Sequence, residues 1–341
     1  MAAITKKIDE CVDYLLKGNL VSFPTETVYG IGANIYDEQA VNKIFEYKNR
    51  PKSNPLIVHI DSIDKVNELV NLNDDNILEL KNIMNMLTPG PISFLVPKTD
   101  KVPNYITADS DHVCIRIPSN TTALELLKKV NVPICAPSAN IYCHASPVKA
   151  EHVLSEFKDK DLLVLEDIYD DNVIGIESTI IKIDFDCKKL IFLRPGFITP
   201  SMLMSICPKY DYSYDKPKEH LPGSSLKHYS INKDIYIIHN KNILKNTNLK
   251  NISVIEFGDT LSDNESYYSL SKSNNYVEAM QNFYEILRKC ESDPTEKLYI
   301  CIEQNEDNHF YVSLFDRMIK CASNKILSSI NTEIQYNLKK Y

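Results

Sequence analysis

The chain has little glycine, no tryptophan and no excess of positive charge. Its 341 residues include 8 Gly and no Trp, and its formal net charge is -8 at pH 7. Affinity for nucleic acid depends largely on clustered Lys and Arg that neutralise phosphates, so this balance disfavours a protein that binds nucleic acid stably. No segment approaches the roughly 20 consecutive apolar residues of a membrane span, which argues against a membrane protein.

Cysteine spacing and the first residues of the chain bear on the compartment of the protein and on whether it binds a metal. The nine cysteines contain no CxxC pair, which disfavours a disulfide framework or a zinc site and favours a reducing compartment. The first 20 residues include Asp9, Glu10 and Asp13 and lack an apolar run, so they fit neither a signal peptide nor a transit peptide. We therefore predict a cytoplasmic protein with no protein-bound metal.

Length and hydrophobic patterning predict two domains. A chain of 341 residues with 43% hydrophobic content is long enough for two cores. The region 199–232 lacks a clear period and is rich in Tyr, Lys, Asp and Pro. After it, short apolar strands alternate with helical stripes, which is typical of a small parallel α/β domain. The expected boundaries are a first domain at 1–205, a linker at 206–232 and a second domain at 233–341.

The most informative stretch of the first domain runs from Phe23 to His59. Pro24 ends a predicted buried strand, and a Thr-Glu-Thr turn then presents side-chain oxygens beyond the strand end. Gly30 and Gly32 suggest a dinucleotide-binding motif, but Ile35 stands where its third glycine is needed. The sequence also lacks a GxxxxGK[ST] phosphate loop, so neither nucleotide motif applies.

Three cations lie at and just after the end of a predicted helix over Glu38–Lys48. Nearby prolines predict an extended segment, in which Lys48, Arg50 and Lys52 would point in the same direction. Such a series forms either a solvated basic turn or a site for a polyanion. His59 lies in the next apolar strand, where a lone histidine is more often a satisfied core residue.

Further polar residues lie in or after later predicted strands. Arg116 occurs inside the alternating strand His112–Ile117 and requires either an internal carboxylate or an anionic ligand as partner. The turn 136–140, Ala-Pro-Ser-Ala-Asn, combines small side chains with Ser138 and Asn140, so it forms either a tight structural turn or a surface that a ligand approaches closely. Arg194 follows another strand.

Taken together, these segments resemble the threonylcarbamoyl-AMP synthase family in its longer, two-domain form. Eight segments match in the family's order over roughly residues 8–200, namely FPTETVYGIGA, KNRPKSNPLIVHI, LTPGPISFLV, IRIPSN, APSAN, SPVKAEHV, ESTII and LRPG. In the last third, AMQNFYEIL and FDRMIKCAS resemble helices of the family's second domain, and PGSSLKHYS resembles its linker motif.

The resemblance implies both a fold and a reaction. The expected fold is α/β, with a YrdC-like twisted mixed sheet and helices around a concave basic cleft, followed by a smaller Rossmann-like parallel α/β domain. The implied enzyme is a nucleotidyltransferase that converts L-threonine, bicarbonate and ATP, with magnesium on the ATP, into threonylcarbamoyl-AMP and pyrophosphate. A separate transferase complex would then use the product to modify tRNA. Alternatives are a catalytically silent nucleotide- or RNA-binding module and an adenylate-forming enzyme for another amino acid.

The resemblance also implies residue roles. The positions that match threonine-binding residues are Thr27, His59, Arg116, Ala136 and Ser178. The positions that match residues around ATP are Lys48, Arg50, Asn54, His112, Ser138, Ser146, Arg194 and Tyr229, with Tyr229 in a linker that folds back over the nucleotide. Lys48 and Arg50 are the expected catalytic residues. The sequence departs from the family pattern at His112, where Thr is usual, and at Tyr142-Cys143, where Ser-Gly is usual.

Overall fold

The computed structural model describes residues 1–215, 228–246, 251–258, 266–329 and 332–335. The chain divides into two compact units. The first takes in residues 1–142, 147–173 and 177–224, and the second takes in 143–146, 174–176 and 225–341. The division between the units therefore does not fall at a single point in the sequence.

Among the described residues, the first unit contains an eleven-stranded mixed sheet. The strand order is β1-β8-β2-β3-β7-β4-β6-β5-β9-β10-β11. The strands are β1 (Ala3–Thr5), β2 (Leu20–Phe23), β3 (Gly30–Asn34), β4 (Ile57–His59), β5 (Ile92–Pro97), β6 (His112–Arg116), β7 (Ile134–Cys135), β8 (Leu162–Leu165), β9 (Thr179–Asp184), β10 (Lys189–Arg194) and β11 (Asp211–Tyr214). The helices are α1 (Ile8–Leu16), α2 (Glu38–Lys48), α3 (Val66–Leu69), α4 (Asp74–Leu87), α5 (Asn104–Thr107), α6 (Thr121–Val130), α7 (Ala150–Phe157) and α8 (Pro200–Ile206), with a 3-10 helix at Ile63–Lys65.

The two faces of the central strands differ in polarity. Successive side chains of a strand point to opposite faces. One face of β4, β5, β6 and β9 contributes Val58, Phe94, Ile115 and Ile181 to the large hydrophobic core. The other face has a small apolar cluster that includes Ile57, Leu95, Cys114 and Ile180. The polar residues of strands β4 and β6 share this second face.

Helix α2 is fixed at both ends by residues that the sequence supplies locally. The Asp37 carboxylate accepts a hydrogen bond from the backbone N–H of Ala40 and caps the first turn. Asn49 ends the helix in the left-handed conformation, with φ of 51°. Lys48 is therefore the last helical residue, and the chain changes direction directly after it.

The second unit contains a six-stranded sheet within its described residues. The order is β14-β13-β15-β12-β16-β17, in which all neighbours are parallel except β16 and β17. The strands are β12 (Asp234–Ile238), β13 (Ile252–Glu256), β14 (Tyr267–Ser269), β15 (Lys297–Cys301), β16 (Lys325–Ser329) and β17 (Thr332–Gln335). The helices are α9 (Tyr276–Ser292) and α10 (His309–Cys321), with a 3-10 helix at Lys241–Asn246.

The structure differs from the predicted elements at several places. A short strand over Ala3–Thr5, for which the sequence gives no pattern, pairs with β8, and helix α1 begins at Ile8. Helix α10 begins at His309, where the Asn308 side chain accepts hydrogen bonds from the backbone N–H groups of Phe310 and Tyr311. Part of the predicted linker is regular structure, since β11 pairs with β10. Residues 216–227 of that linker lie outside the described residues.

No helix in the described part of the chain is long and apolar enough to cross a membrane.

Candidate active site

The register of strands β4 and β6 brings two predicted threonine-binding residues together. The strands run parallel, with Ile57 opposite Cys114 and His59 opposite Arg116. His59 and Arg116 are the last residues of their strands, and both side chains are buried. The carboxyl ends of the two strands therefore place an imidazole beside a guanidinium.

Arg116 pairs with a carboxylate from within the protein. Its Nη2 donates a hydrogen bond to Oε1 of Glu26 over 2.7 Å, and the two side chains are only 5% and 4% exposed. Nε of Arg116 and Oε2 of Glu26 are buried and have no hydrogen-bond partner among the described residues. The sequence left two possible partners for Arg116, an internal carboxylate or an anionic ligand, and the structure contains the internal carboxylate. Each side chain of this pair still has one buried polar atom without a hydrogen-bond partner among the described residues.

His59 is uncharged in this environment. Burial, and secondarily the nearby charge of Arg116, lower the pKa of the imidazole from 6.5 to about 3. The ring stands edge-on to Phe23, with centroids 6.0 Å apart. Its Nδ1 is buried and has no hydrogen-bond partner among the described residues. A neutral histidine can orient a ligand by a hydrogen bond, but it does not add charge.

Ser178 is held by a hydroxyl from β5 and by Arg194. Its Oγ lies 2.8 Å from Oγ of Ser93. Ser93 directly precedes Phe94 in β5, and Phe94 pairs with Ile115 of β6. Arg194 donates from Nε to the Ser178 carbonyl over 2.9 Å and from Nη2 to Oγ over 3.0 Å. Ser178 was predicted to bind threonine and Arg194 to bind ATP, so residues predicted for the two ligands are in direct contact.

The Thr-Glu-Thr turn after β2 is fixed by its own hydroxyls. Oγ1 of Thr25 lies 2.8 Å from Oγ1 of Thr27 and donates to the carbonyl of Val28 over 2.6 Å. All three residues of the turn are buried. Gly30 then forms a bridge with Ser138, and a Cβ at Gly30 would lie 3.2 Å from Cβ of Ala136. Close contact of two backbones thus brings the turn 136–140 beside this loop.

Lys48 extends from the end of α2 to the turn 136–140. Its Nζ donates to the carbonyl oxygens of Ser138 over 2.6 Å and Asn140 over 2.5 Å, and the residue is 1% exposed. The backbone carbonyl of Lys48 accepts a hydrogen bond from the N–H of Tyr142. The ammonium group therefore holds the turn against the helix.

Arg50 organises the loop that leads into β4. Its Nη2 donates to the carbonyl of Pro55 over 2.9 Å, and its Nε donates to that of Asn54 over 3.3 Å. Nδ2 of Asn54 donates to Oη of Tyr142 over 2.9 Å. Lys52, by contrast, is exposed. The prediction that Lys48, Arg50 and Lys52 form one extended row is wrong, because Lys48 is helical and the left-handed residue after it breaks the alternation.

His112 lies at the opposite end of β6 from Arg116, about 13 Å away along an extended strand. It lines a cavity of about 480 Å³ with apolar walls from Leu95, Ile191 and Leu193. Its Nδ1 contacts the Asp111 carboxylate over 2.5 Å, a contact that lowers the pKa of Asp111. This face of β6 thus has a charged end at Arg116 and, at His112, an end beside a partly apolar cavity.

Ser146 and Tyr229 belong to the second unit. The Tyr229 ring contacts the rings of His228 and Tyr284, with centroids 4.0 and 5.8 Å away, and the Arg317 guanidinium lies 5.9 Å from it. Its backbone φ of 62° is uncommon for a residue other than glycine, so these contacts hold a costly conformation. Eleven of the thirteen predicted site residues belong to the first unit, and these two do not.

Comparisons with known proteins decide the family. A family model described as "Telomere recombination" matches residues 13–196, and one described as "Threonylcarbamoyl-AMP synthase, C-terminal domain" matches residues 198–323. The threonylcarbamoyl-AMP synthase of Pyrococcus abyssi (strain GE5 / Orsay) is 36% identical over 241 residues, which cover 68% of this chain and 68% of that protein. The chain belongs to the threonylcarbamoyl-AMP synthase family.

Other members of the threonylcarbamoyl-AMP synthase family agree with this assignment. The synthase of Bacillus subtilis (strain 168) is 34% identical over 229 residues, which cover 66% of this chain and 64% of that protein. A crystal structure of P. abyssi Sua5 complexed with L-threonine matches with a TM-score of 0.82 and 26% identity, over 96% of this chain and 99% of that one. The predicted family, the α/β fold and the assignment as a transferase that makes threonylcarbamoyl-AMP are confirmed.

Sequence reasoning assigned no role to two residues at the centre of the site. Glu26 was noted only as part of a turn, although a carboxylate directly after a strand end and a lone Arg in a nearby strand can form a buried pair. Ser93 lies in the apolar strand β5, where a single serine gives no pattern.

Within the described residues there is no group of three or more His, Cys, Asp and Glu that could hold a metal.

Proposed function

We propose that this chain catalyses the reaction implied by its family, in which L-threonine, bicarbonate and ATP give threonylcarbamoyl-AMP and pyrophosphate. The observation that carries the proposal is the shared polar face of strands β4 and β6. Its charged end contains Arg116, His59 and Ser178, and its other end has the cavity beside His112. The charged end thus offers polar partners for an amino acid, and the cavity at the other end offers space for part of a nucleotide.

Threonine is proposed to bind at the charged end. Arg116 supplies the cation for its carboxylate, since guanidinium and carboxylate form strong charge-assisted hydrogen bonds. Neutral His59 and the hydroxyls of Thr27 and Ser178 supply hydrogen bonds to the remaining polar groups of the ligand. Ala136 leaves space there for close approach. Threonine binding in the related P. abyssi structure supports this assignment.

ATP is proposed to extend from this end towards His112. Lys48 and Arg50 would supply positive charge to its phosphates, with Asn54, Ser138, Ser146 and Arg194 as further polar contacts and Tyr229 closing over the nucleotide. Leu95, Ile191 and Leu193 form apolar walls suited to the adenosine moiety. The direct contact between Arg194 and Ser178 supports adjacent binding of the two substrates, because one arginine can contact the phosphate chain while it orients a threonine-binding hydroxyl.

The proposed chemistry depends on positioning and charge stabilisation. The ammonium group of threonine first loses a proton. The resulting amine nitrogen then forms a bond to the carbon of bicarbonate or of carbon dioxide derived from it, so that one water and one proton are lost overall. A carbamate oxygen then attacks the α-phosphorus of ATP, and the bond to the bridging oxygen breaks to release pyrophosphate. Negative charge develops on phosphate oxygens during this step, and preorganised cations such as Lys48 and Arg50 stabilise it.

Magnesium is proposed to enter as part of the ATP complex. The described residues offer no cluster of carboxylate, histidine or cysteine ligands for it, so its ligands would be mainly phosphate oxygens and water. When bound, the ion would shield the triphosphate charge. The product is proposed to pass to a separate tRNA-modifying transferase complex, which agrees with the acidic balance of this chain.

The test is threonine-dependent release of pyrophosphate by the purified full-length protein supplied with MgATP and bicarbonate. Release that requires threonine supports the proposal. Absence of threonine-dependent release would refute it and would favour a silent nucleotide-binding module. Replacing threonine with serine or valine in the same assay identifies the amino acid, since an enzyme built for another substrate would turn over the replacement faster.

A further inference from the structure

Glu26 is a buried carboxylate whose surroundings satisfy only one of its two oxygens. Oε1 accepts the hydrogen bond from Arg116, whereas Oε2 has no partner among the described residues. The neighbouring hydroxyls of Thr25 and Thr27 bond to each other and to the backbone. A buried carboxylate oxygen without a hydrogen bond costs free energy, so its presence at a strand end points to a ligand that supplies the donor.

The partner of Glu26 has the complementary deficit. Nε of Arg116 is buried and has no acceptor among the described residues. The pair therefore offers one unused donor, Nε of Arg116, and one unused acceptor, Oε2 of Glu26. The hydrogen-bonded atoms of the pair, Nη2 of Arg116 and Oε1 of Glu26, lie 2.7 Å apart. An α-amino acid at neutral pH carries the same two charges on groups separated by a single carbon.

We propose that Glu26 binds the α-ammonium group of the amino-acid substrate while Arg116 binds its α-carboxylate. The inference rests on the proposed function and adds the receptor for the amino group. Oε2 accepts an N–H of the ammonium and fixes the nitrogen that later forms the bond to carbon. Glu26 thereby selects amino acids over hydroxy acids of the same shape.

The proposal is tested by binding, without turnover. The affinity of the full-length protein is measured by calorimetry for L-threonine and for 2,3-dihydroxybutanoate of matching configuration, which keeps the carboxylate and the β-hydroxyl but lacks the ammonium. A charge-assisted hydrogen bond predicts that the wild-type protein prefers threonine by about 10- to 100-fold. Glu26→Gln is expected to reduce that preference to about threefold or less, because affinity for threonine falls and affinity for the hydroxy acid does not.

Two controls locate the effect at Glu26. Glu46→Gln removes an exposed carboxylate from the same unit and is expected to keep the wild-type preference. Glu177→Gln alters another buried acidic residue, next to Ser178 in the sequence. If Glu177→Gln abolishes the preference while Glu26→Gln retains it, the proposal is overturned and the ammonium receptor is Glu177.

The outcomes separate this inference from the proposed function. A wild-type protein that binds neither compound, and shows no threonine-dependent pyrophosphate release, contradicts both. A wild-type protein that binds and turns over threonine, together with a Glu26→Gln variant of unchanged preference, contradicts only the role of Glu26. If Glu26→Gln does not fold, as judged by circular dichroism, Glu26→Asp keeps the charge on a shorter side chain and is expected to show an intermediate preference; an unchanged preference in that variant also counts against the proposal.

Discussion

His59 lies directly opposite Arg116 in the parallel pair of β4 and β6, and both residues are buried. Burial of the imidazole and the adjacent guanidinium charge both disfavour a second positive charge, so the pKa of His59 is lowered to about 3. At neutral pH the site therefore contains one cation at this position, which is Arg116.

This relationship predicts an acid-dependent loss of stability. Above pH 6.5 His59 is neutral in both the folded and the unfolded chain. As the pH falls from 6.5 towards 3, the unfolded chain binds a proton at His59 and the folded chain does not, so stability is lost by about 1.4 kcal/mol per pH unit. Between pH 7.5 and 5.0, the wild-type free energy of unfolding should fall by about 2 kcal/mol more than that of His59→Gln.

Urea unfolding of both proteins at the two pH values checks this expectation. Equal pH dependence of the wild type and His59→Gln would mean that His59 takes up a proton in the folded protein.

Arg50 and Lys52 form a matched pair for testing the ATP side. Arg50 is buried and bonded to the carbonyls of Asn54 and Pro55, whereas Lys52 is exposed. Arg50→Ala should lower kcat/KM for ATP by one to two orders of magnitude, as expected for loss of a charged hydrogen bond of about 1.5–3 kcal/mol. Lys52→Ala should stay within about twofold of wild type. Steady-state pyrophosphate release measures both, and unchanged kinetics of Arg50→Ala would rule out its proposed role.

Lys48 is expected to contribute to stability as well as to catalysis. Its ammonium donates to the carbonyls of Ser138 and Asn140, so Lys48→Met removes two charged donors from buried acceptors. The variant should lose about 2–3 kcal/mol of unfolding free energy, while Lys52→Met should lose less than about 0.5 kcal/mol. Chemical denaturation of the two variants decides the point. A fully stable Lys48→Met without pyrophosphate release would assign this lysine to ATP alone.

Much of this arrangement could be predicted from the sequence, because ordered motifs specify local structure and chemistry together. The turn after β2, the strand with His59 and the strand with Arg116 were all located. The Glu26–Arg116 pair was not, since ninety residues separate its members and only tertiary structure brings them together. Strand β1 was missed for a similar reason: three residues give no period, and pairing with β8 defines the strand.

Tyr142 shows how a departure from the family pattern is accommodated. It stands where serine is usual, and its Oη accepts a hydrogen bond from Nδ2 of Asn54, a predicted ATP-binding residue. Tyr142→Phe removes this acceptor while keeping the ring. The expected result is a several-fold higher KM for ATP, corresponding to about 1 kcal/mol, with the KM for threonine unchanged. Parallel rises in both constants would show that the tyrosine supports the whole site instead of its ATP side.

Truncation tests the proposed role of Tyr229 and of the segment around it. A chain cut after residue 205 would lose β11, which pairs with β10 at the edge of the first sheet, and would confound folding with function. A chain ending at Asp215 keeps that strand. If Tyr229 closes over the nucleotide, this shorter chain should show a KM for ATP at least about tenfold higher, or no activity, with intact secondary structure.

Tyr229→Ala in the full-length chain separates loss of that ring from loss of all the residues after Asp215. The ring contacts Tyr284 and His228, so the variant is first checked for cooperative unfolding. A folded Tyr229→Ala variant should show most of the rise in KM for ATP that the truncation causes. The reason is that both variants lose the contact between the Tyr229 ring and the nucleotide. Full activity of the chain ending at Asp215 would show that residues 1–215 suffice for the reaction, and Tyr229 would then have no part in binding ATP.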